Sequence, residues 1–145
     1  MKCKILMLLI AMVCSLSMSA QSAADKIVGT YQASTDGKTS KVKIFKYKDG
    51  YRAQITSLQE PKNPDGTIKT DIKNPDASKR KTPLSQLVIV DKVVYKDGIW
   101  KDGKIYEPTS GKTYNVEFRI KDAKTLEVRG KIGPFYKKLF WPKLS

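Results

Sequence analysis

Asp-Gly occurs five times in this chain, at Asp36-Gly37, Asp49-Gly50, Asp65-Gly66, Asp97-Gly98 and Asp102-Gly103. The pair supplies the positive φ angles that tight hairpin turns require. Most of these pairs stand between short segments of alternating polarity. Gly37 and Gly50 bracket Lys41 to Tyr47, and Gly50 opens Tyr51 to Leu58. Ser110-Gly111 and Asp122-Ala123 mark further turns around Lys112 to Ile120. The period of two is cleanest late in the chain. Tyr114, Val116, Phe118 and Ile120 share one face, with Asn115, Glu117 and Arg119 on the other. Leu126, Val128, Gly130 and Ile132 alternate likewise with Glu127, Arg129 and Lys131. Such strands pack one face on a core and turn the other to water. No segment beyond the first twenty residues or so carries a 3.6-residue apolar stripe. The pattern predicts an all-β protein of about eight strands. Open sheet edges invite aggregation, so short sequential hairpins point to a single antiparallel up-and-down β-barrel. A two-layer β-sandwich is the alternative. Gly130 and Gly133 are read as positions that bend the strands at barrel corners.

The first residues are of another kind. Lys2 and Lys4 precede an apolar run from Ile5 to Val13, then small polar residues from Ser15 to Ala20. This is the layout of a secretory signal peptide, and the run falls short of the ~20 residues of a membrane-spanning helix. Residues 1–20 are therefore expected to be cleaved, leaving 21–145 as a single domain that is periplasmic or secreted. Cys3, Cys14 and all four methionines lie in the leader, and the chain has no histidine. The mature protein thus has no Ser-His-Asp triad, Cys-His pair, zinc site built on His or Cys, or redox thiol. No cofactor is implied.

Carboxylates remain. A glycosidase needs two of them across a sugar, and Asp71, Asp76 and Glu107 are the candidates. An EF-hand reading fails: aligning Gly66 with the central glycine puts Pro61 at the first ligand and Lys73 at the bidentate Glu position. A looser oxygen site from Asp71, Asn74 and Asp76 stays open. The preferred reading is non-enzymatic, with no catalytic residue assigned. The formal net charge is +14, and loss of Lys2 and Lys4 leaves 14 − 2 = +12. That favours anionic partners such as lipid head groups or acidic polysaccharide, or serves solubility. Dispersed lysines and export argue against nucleic acid.

One segment breaks the strand rhythm. Residues 60–83 read EPKNPDGTIKTDIKNPDASKRKTP, in which Lys62 to Asp65 recur as Lys73 to Asp76. Asn-Pro-Asp starts turns, and long loops are often functional. Tyr106, Tyr114, Phe118, Phe135, Tyr136, Phe140 and Trp141 crowd the second half. They either fill the core or line a pocket, open at one end, for a small apolar or amphipathic ligand. Lys112 and Arg129 would then meet an anionic head group. Simple alternation turns Arg129 outward, so its preferred role is to anchor the loop through Asp71 or Asp76. A loop folded over the barrel mouth brings Asn74-Pro75-Asp76 to Tyr106-Glu107-Pro108, with Asp71 meeting Tyr106. The candidate ligand-binding or loop-anchoring residues are Asp71, Asn74, Asp76, Tyr106, Lys112, Tyr114, Arg129 and Trp141.

Several motifs in series are shared with a known family. They are Gly29-x-Tyr31, Asp71-x-x-Asn74-Pro75-Asp76, Gly103-Lys104-Ile105-Tyr106-Glu107-Pro108 and Ser110-Gly111-Lys112-x-Tyr114. Leu126-x-Val128-Arg129-Gly130, Gly133-Pro134 and Trp141 follow. In this order they resemble the bacterial secreted family called domain of unknown function 2147. Relatives often carry Trp at the Tyr31 position and a cysteine pair around the segment Lys46 to Ile55, where this chain has none. The resemblance implies an extracytoplasmic compartment and a small lipocalin-like barrel, and no reaction. Two functions follow as expectations: binding of a small ligand or envelope component in the barrel, or a basic module that docks on anionic envelope polymer or a partner protein.

Overall fold

In a computed structural model, residues 23–145 are described, and the expected leader lies outside them. The hairpin turns form where the sequence calls for them. Asp36 and Gly37 take φ of 51° and 76°, and Asp97 and Gly98 take 52° and 85°, the left-handed pair of a two-residue turn. Eight strands result: β1 (Gly29–Thr35), β2 (Lys38–Tyr47), β3 (Gly50–Leu58), β4 (Val88–Lys96), β5 (Ile99–Glu107), β6 (Lys112–Asp122), β7 (Thr125–Ile132) and β8 (Phe135–Pro142). They form one antiparallel sheet in chain order. Its two edges meet: Tyr31 bridges Lys143, and the Leu144 and Thr30 amides donate to the Thr30 and Ser145 carbonyls at 2.7 and 3.0 Å. The architecture is a nearly closed up-and-down barrel, not a sandwich.

Three expected glycine roles are corrected. Lys48, with φ 52°, turns the β2–β3 hairpin; Gly50 opens β3, where an added Cβ would lie 2.2 Å from the Val93 carbonyl oxygen. Asp102-Gly103 makes no turn. Asp102 has φ 61° within β5, where the pairing to β6 shifts register between Trp100 and Gly103, as at a β-bulge. Gly130 bends nothing, since it sits in unbroken register between Val116 and Lys137.

The barrel end where the chain enters β1 and leaves β8 is the lower end. There the inward side chains Tyr31, Ile44, Tyr51, Trp100, Phe118, Leu126 and Trp141 are buried together. Phe118 and Trp141 stack with ring centres 5.9 Å apart, and Tyr95 lies 4.8 Å from Trp100. Buried rings with polar tips need partners, and the 3-10 turn Asp25–Ile27 with its flank supplies those of Tyr31, Tyr51 and Trp100. Trp100 Nε1 donates to the Ala24 carbonyl at 3.1 Å and the Tyr31 hydroxyl to the Ile27 carbonyl at 2.8 Å. The Tyr51 hydroxyl donates to the Asp25 carboxylate. Ile27 is fully buried beneath them. This turn is the floor of the barrel. Among the described residues no helix is long and apolar enough to cross a membrane.

Burial raises the Tyr31 hydroxyl from 10.0 to about 12. Between those values the unfolded chain loses this proton while the native protein keeps it, so stability falls as pH rises. Tyr31→Phe is expected to cost about 1 kcal/mol at neutral pH through the lost hydrogen bond. Its stability should also decline less than wild type over the alkaline range. Urea unfolding at a series of pH values checks both.

Candidate functional site

The β7–β8 register ranks the barrel interior by height. Inward pairs run upward as Leu126–Trp141, Val128–Leu139, Gly130–Lys137 and Ile132–Phe135. Their exposure climbs with them: 0% and 4%, then 2% and 39%, and finally 46% and 75%. Gly130 locates the change. A Cβ added there would meet nothing within 4 Å, although its partner Val116 is buried. The lower barrel is solid, and above Val128 the inner wall made by β7 and β8 is exposed.

Lysines stand at the rim of this cup. Alternation from Phe118 and Val116 through half-buried Tyr114 puts Lys112 on the inward register. The same rule places Lys38 at the rim on β2, opposite Thr35, and Lys137 on β8 one rung below Phe135, opposite Gly130. Lys38 Nζ lies 2.9 Å from Glu60, whose hydrogen bond and charge raise the lysine above its ordinary value. The β1–β8 seam is bonded near the floor, at Thr30 and Tyr31, so the cup also opens sideways above that bridge.

Residues 59–87 fold along the rim from the start of β2 to the β5–β6 turn. Asp71 is 1% exposed; its Oδ1 accepts from the Tyr106 hydroxyl at 2.7 Å and its Oδ2 from the Asn74 amide at 2.8 Å. Burial, then the Asp71 hydrogen bond and charge, raise the Tyr106 hydroxyl to about 12. Lys73 Nζ donates to the Thr109 carbonyl at 2.7 Å, tying the loop to the β5–β6 turn. The Ile55 amide donates to Leu87 at 2.8 Å, tying its end to β3. The expected meeting of loop and Tyr106 segment is present. The lip formed by β7 and β8 stays uncovered.

The expected anchor is different. Arg129 does not reach Asp71 or Asp76; its Nε bonds Glu127 at 2.9 Å on the outer face. The neutral donors Tyr106 and Asn74 hold Asp71 instead. Other candidates turn to local partners as well. Asp76 accepts from the Ser78 amide and hydroxyl at 3.0 and 2.7 Å, Asn74 Oδ1 from the Asp76 amide at 2.9 Å, and Glu107 from Thr109 at 2.9 Å. The oxygens of Asp71, Asn74 and Asp76 are thus spent on shaping the loop, and the carboxylates of Asp71, Asp76 and Glu107 each hold separate local partners. Trp141 belongs to the floor, one inward position below Leu139. Arg129 also lines a groove of about 390 Å³ on the outer wall with Lys104, Asn115, Glu117, Lys131 and Tyr136.

Sequence reasoning missed Gly130, Ile132, Lys137 and Leu139 as cup residues. In Phe135 to Trp141, lysine and aromatic residues fall on both faces, so the alternation shows only after β8 is registered against β7. For the loop, Asp71→Ala strands the Tyr106 hydroxyl and the Asn74 amide, so a loss of about 1–3 kcal/mol is expected. Tyr106→Phe in that background should add little. A double-mutant cycle on unfolding free energies would give a coupling of at least about 0.5 kcal/mol, and additivity would remove the contact from the account.

A solved structure from the human pathogen Helicobacter pylori, protein HP1028, is similar to this chain at 27% identity and TM-score 0.67. The match covers 82% of this chain and 83% of that one, and that protein is described as belonging to the lipocalin family. The likeness agrees with the barrel built above. No curated protein matches the sequence. Residues 29–143 match the family described as "Uncharacterized protein conserved in bacteria (DUF2147)", and the chain belongs to that family.

Proposed function

We propose that this protein is a non-enzymatic binder, working outside the cytoplasm, that holds a small amphipathic anion in the upper barrel. One observation carries the reading: along β7 and β8 the inward side chains pass from buried at Leu126 and Trp141 to exposed at Ile132 and Phe135, with open space at Gly130. Apolar surface left exposed inside a concave mouth is what a ligand would cover. Ile132, Phe135 and Leu139 supply that surface, Lys112 supplies charge at the rim, and Lys137 supplies it one inward position below Phe135. The solid floor limits depth. Four residues from Val128 to Ile132 span roughly 13 Å of strand, or about 10 Å along a tilted barrel axis. That length suits the tail of a medium-chain fatty acid or similar amphiphile, its carboxylate level with Lys112.

The rival reading, a basic outer face docking on anionic polymer, draws less support. The groove that holds Arg129 also carries Asp102 and Glu117, and Arg129 and Lys138 already lie 2.9 and 3.9 Å from Glu127.

Gly130 offers the direct test, because its backbone lies outside the left-handed region and a side chain there fills only empty space. Dodecanoate is expected to bind wild type, followed by displacement of an anilinonaphthalene sulfonate probe. Gly130→Leu should fold with unchanged or higher stability and lose dodecanoate binding at least about tenfold. Lys137→Gln should weaken dodecanoate more than dodecanol. Equal binding by wild type and Gly130→Leu would remove the ligand from the barrel.

A further inference from the structure

We infer that the β7–β8 lip is a membrane-docking element that seats its apolar tip in the surface of an anionic lipid bilayer. At this tip Ile132, Phe135 and Tyr136 are 46%, 75% and 56% exposed around the Gly133-Pro134 turn. Phe135 and Ile132 belong to the inward register and Tyr136 to the outward one, so the apolar surface wraps the end of the hairpin. Surface this apolar at the end of a protruding element marks a contact with something less polar than water.

The charges around the tip select the occupant. From Thr125 to Pro142 the hairpin carries Arg129, Lys131, Lys137 and Lys138 against Glu127 alone, a net of 4 − 1 = +3. Lys131 and Lys137 each lie one residue from a tip side chain. Their stems can run beside the rings while the ammonium groups stay at phosphate level. Phenylalanine and tyrosine rings at the polar–apolar boundary, with lysines just behind, are the arrangement that interfacial anchors use. A second copy of the chain fits worse, because two such lips would set like charges against each other. The depth is bounded too. Above the Tyr31–Lys143 bridge β8 is an edge strand, and unpaired backbone groups are not carried into hydrocarbon. The element therefore rests in the interface and does not span.

Docking and ligand binding share Ile132, Phe135 and Lys137 on this reading, and Gly130 and Tyr136 separate them, the first belonging to the cup alone and the second to the outer face alone. The measurement is co-sedimentation with phosphatidylcholine vesicles, with and without phosphatidylglycerol, joined to emission of the Phe135→Trp variant. Trp100 and Trp141 are buried, so a new exposed tryptophan carries the signal. Wild type should pellet with the anionic vesicles, and the Phe135→Trp emission should shift to the blue on binding. The double variant Phe135→Ser with Tyr136→Ser should lose partition at least about tenfold, its circular dichroism unchanged. Gly130→Leu should bind vesicles like wild type even where it loses dodecanoate.

Three results would overturn the inference. One is equal binding by wild type and the double serine variant, abolished in both by high salt, which would make the attraction charge alone. The second is unshifted Phe135→Trp emission on vesicles that do pellet the protein. The third is no vesicle binding together with a concentration-dependent dimer that the serine variant abolishes, which would assign the lip to a second copy.

Discussion

Three aromatic residues, Tyr31, Tyr51 and Trp100, point polar atoms into the lower barrel, and a turn of only three residues with its flank satisfies all of them. Buried without partners, those atoms would each carry a desolvation penalty of about 1–3 kcal/mol. Paired with Ala24, Asp25 and Ile27 they fix where the floor lies. The rings are too large to share that space with a ligand. Everything above the floor follows from this arrangement. The barrel is solid where the N-terminal turn enters and can be open only at the opposite end.

The walls then decide what the open end is made of. Gly130 leaves a side chain's worth of space among otherwise regular rungs, so the cup is built from an omission rather than from a special loop. By its length the segment 59–87 is the element expected to close it. It instead spends its polar groups on itself and on the nearest rim. Asp71, held by Tyr106 and Asn74 with no ion-pair partner among the described residues, is a buried carboxylate whose donors keep the loop folded. The loop is a buttress for β2 to β6, and that coverage leaves the β7–β8 lip bare.

The strand count and the chain-order topology were legible because turn chemistry and alternation are local. Asp36-Gly37 and Asp97-Gly98 announce their hairpins, and Leu126 to Ile132 announces its two faces. Asp102-Gly103 shows the limit. The same dipeptide that turns a hairpin also serves a bulge, and only pairing with β6 separates the two. The Asp71–Tyr106 contact is expected from the polarity of the two segments together with the family-like motifs, but its neutral donors are not, since an arginine is the more obvious partner. Arg129 was taken instead by Glu127, two residues away on its own outer face. The cup was the least legible element. It depends on which side of β8 faces inward, and a strand with lysines on both faces does not say.

That ambiguity of β8 carries a physical meaning. A strand bonded to its neighbour on both edges can present one face to the core and one to water. Above the Tyr31–Lys143 bridge, β8 has a neighbour on one edge only. Its inward face meets an open cup and its outward face meets solvent, so neither face is held to an apolar or a polar composition by packing. Lysines on both faces guard the free edge against pairing with other chains. The exposed rings cannot be explained that way, because they raise the same hazard the lysines lower. Apolar tip and basic flank together make sense if the lip works against a surface that is apolar within and anionic at its boundary.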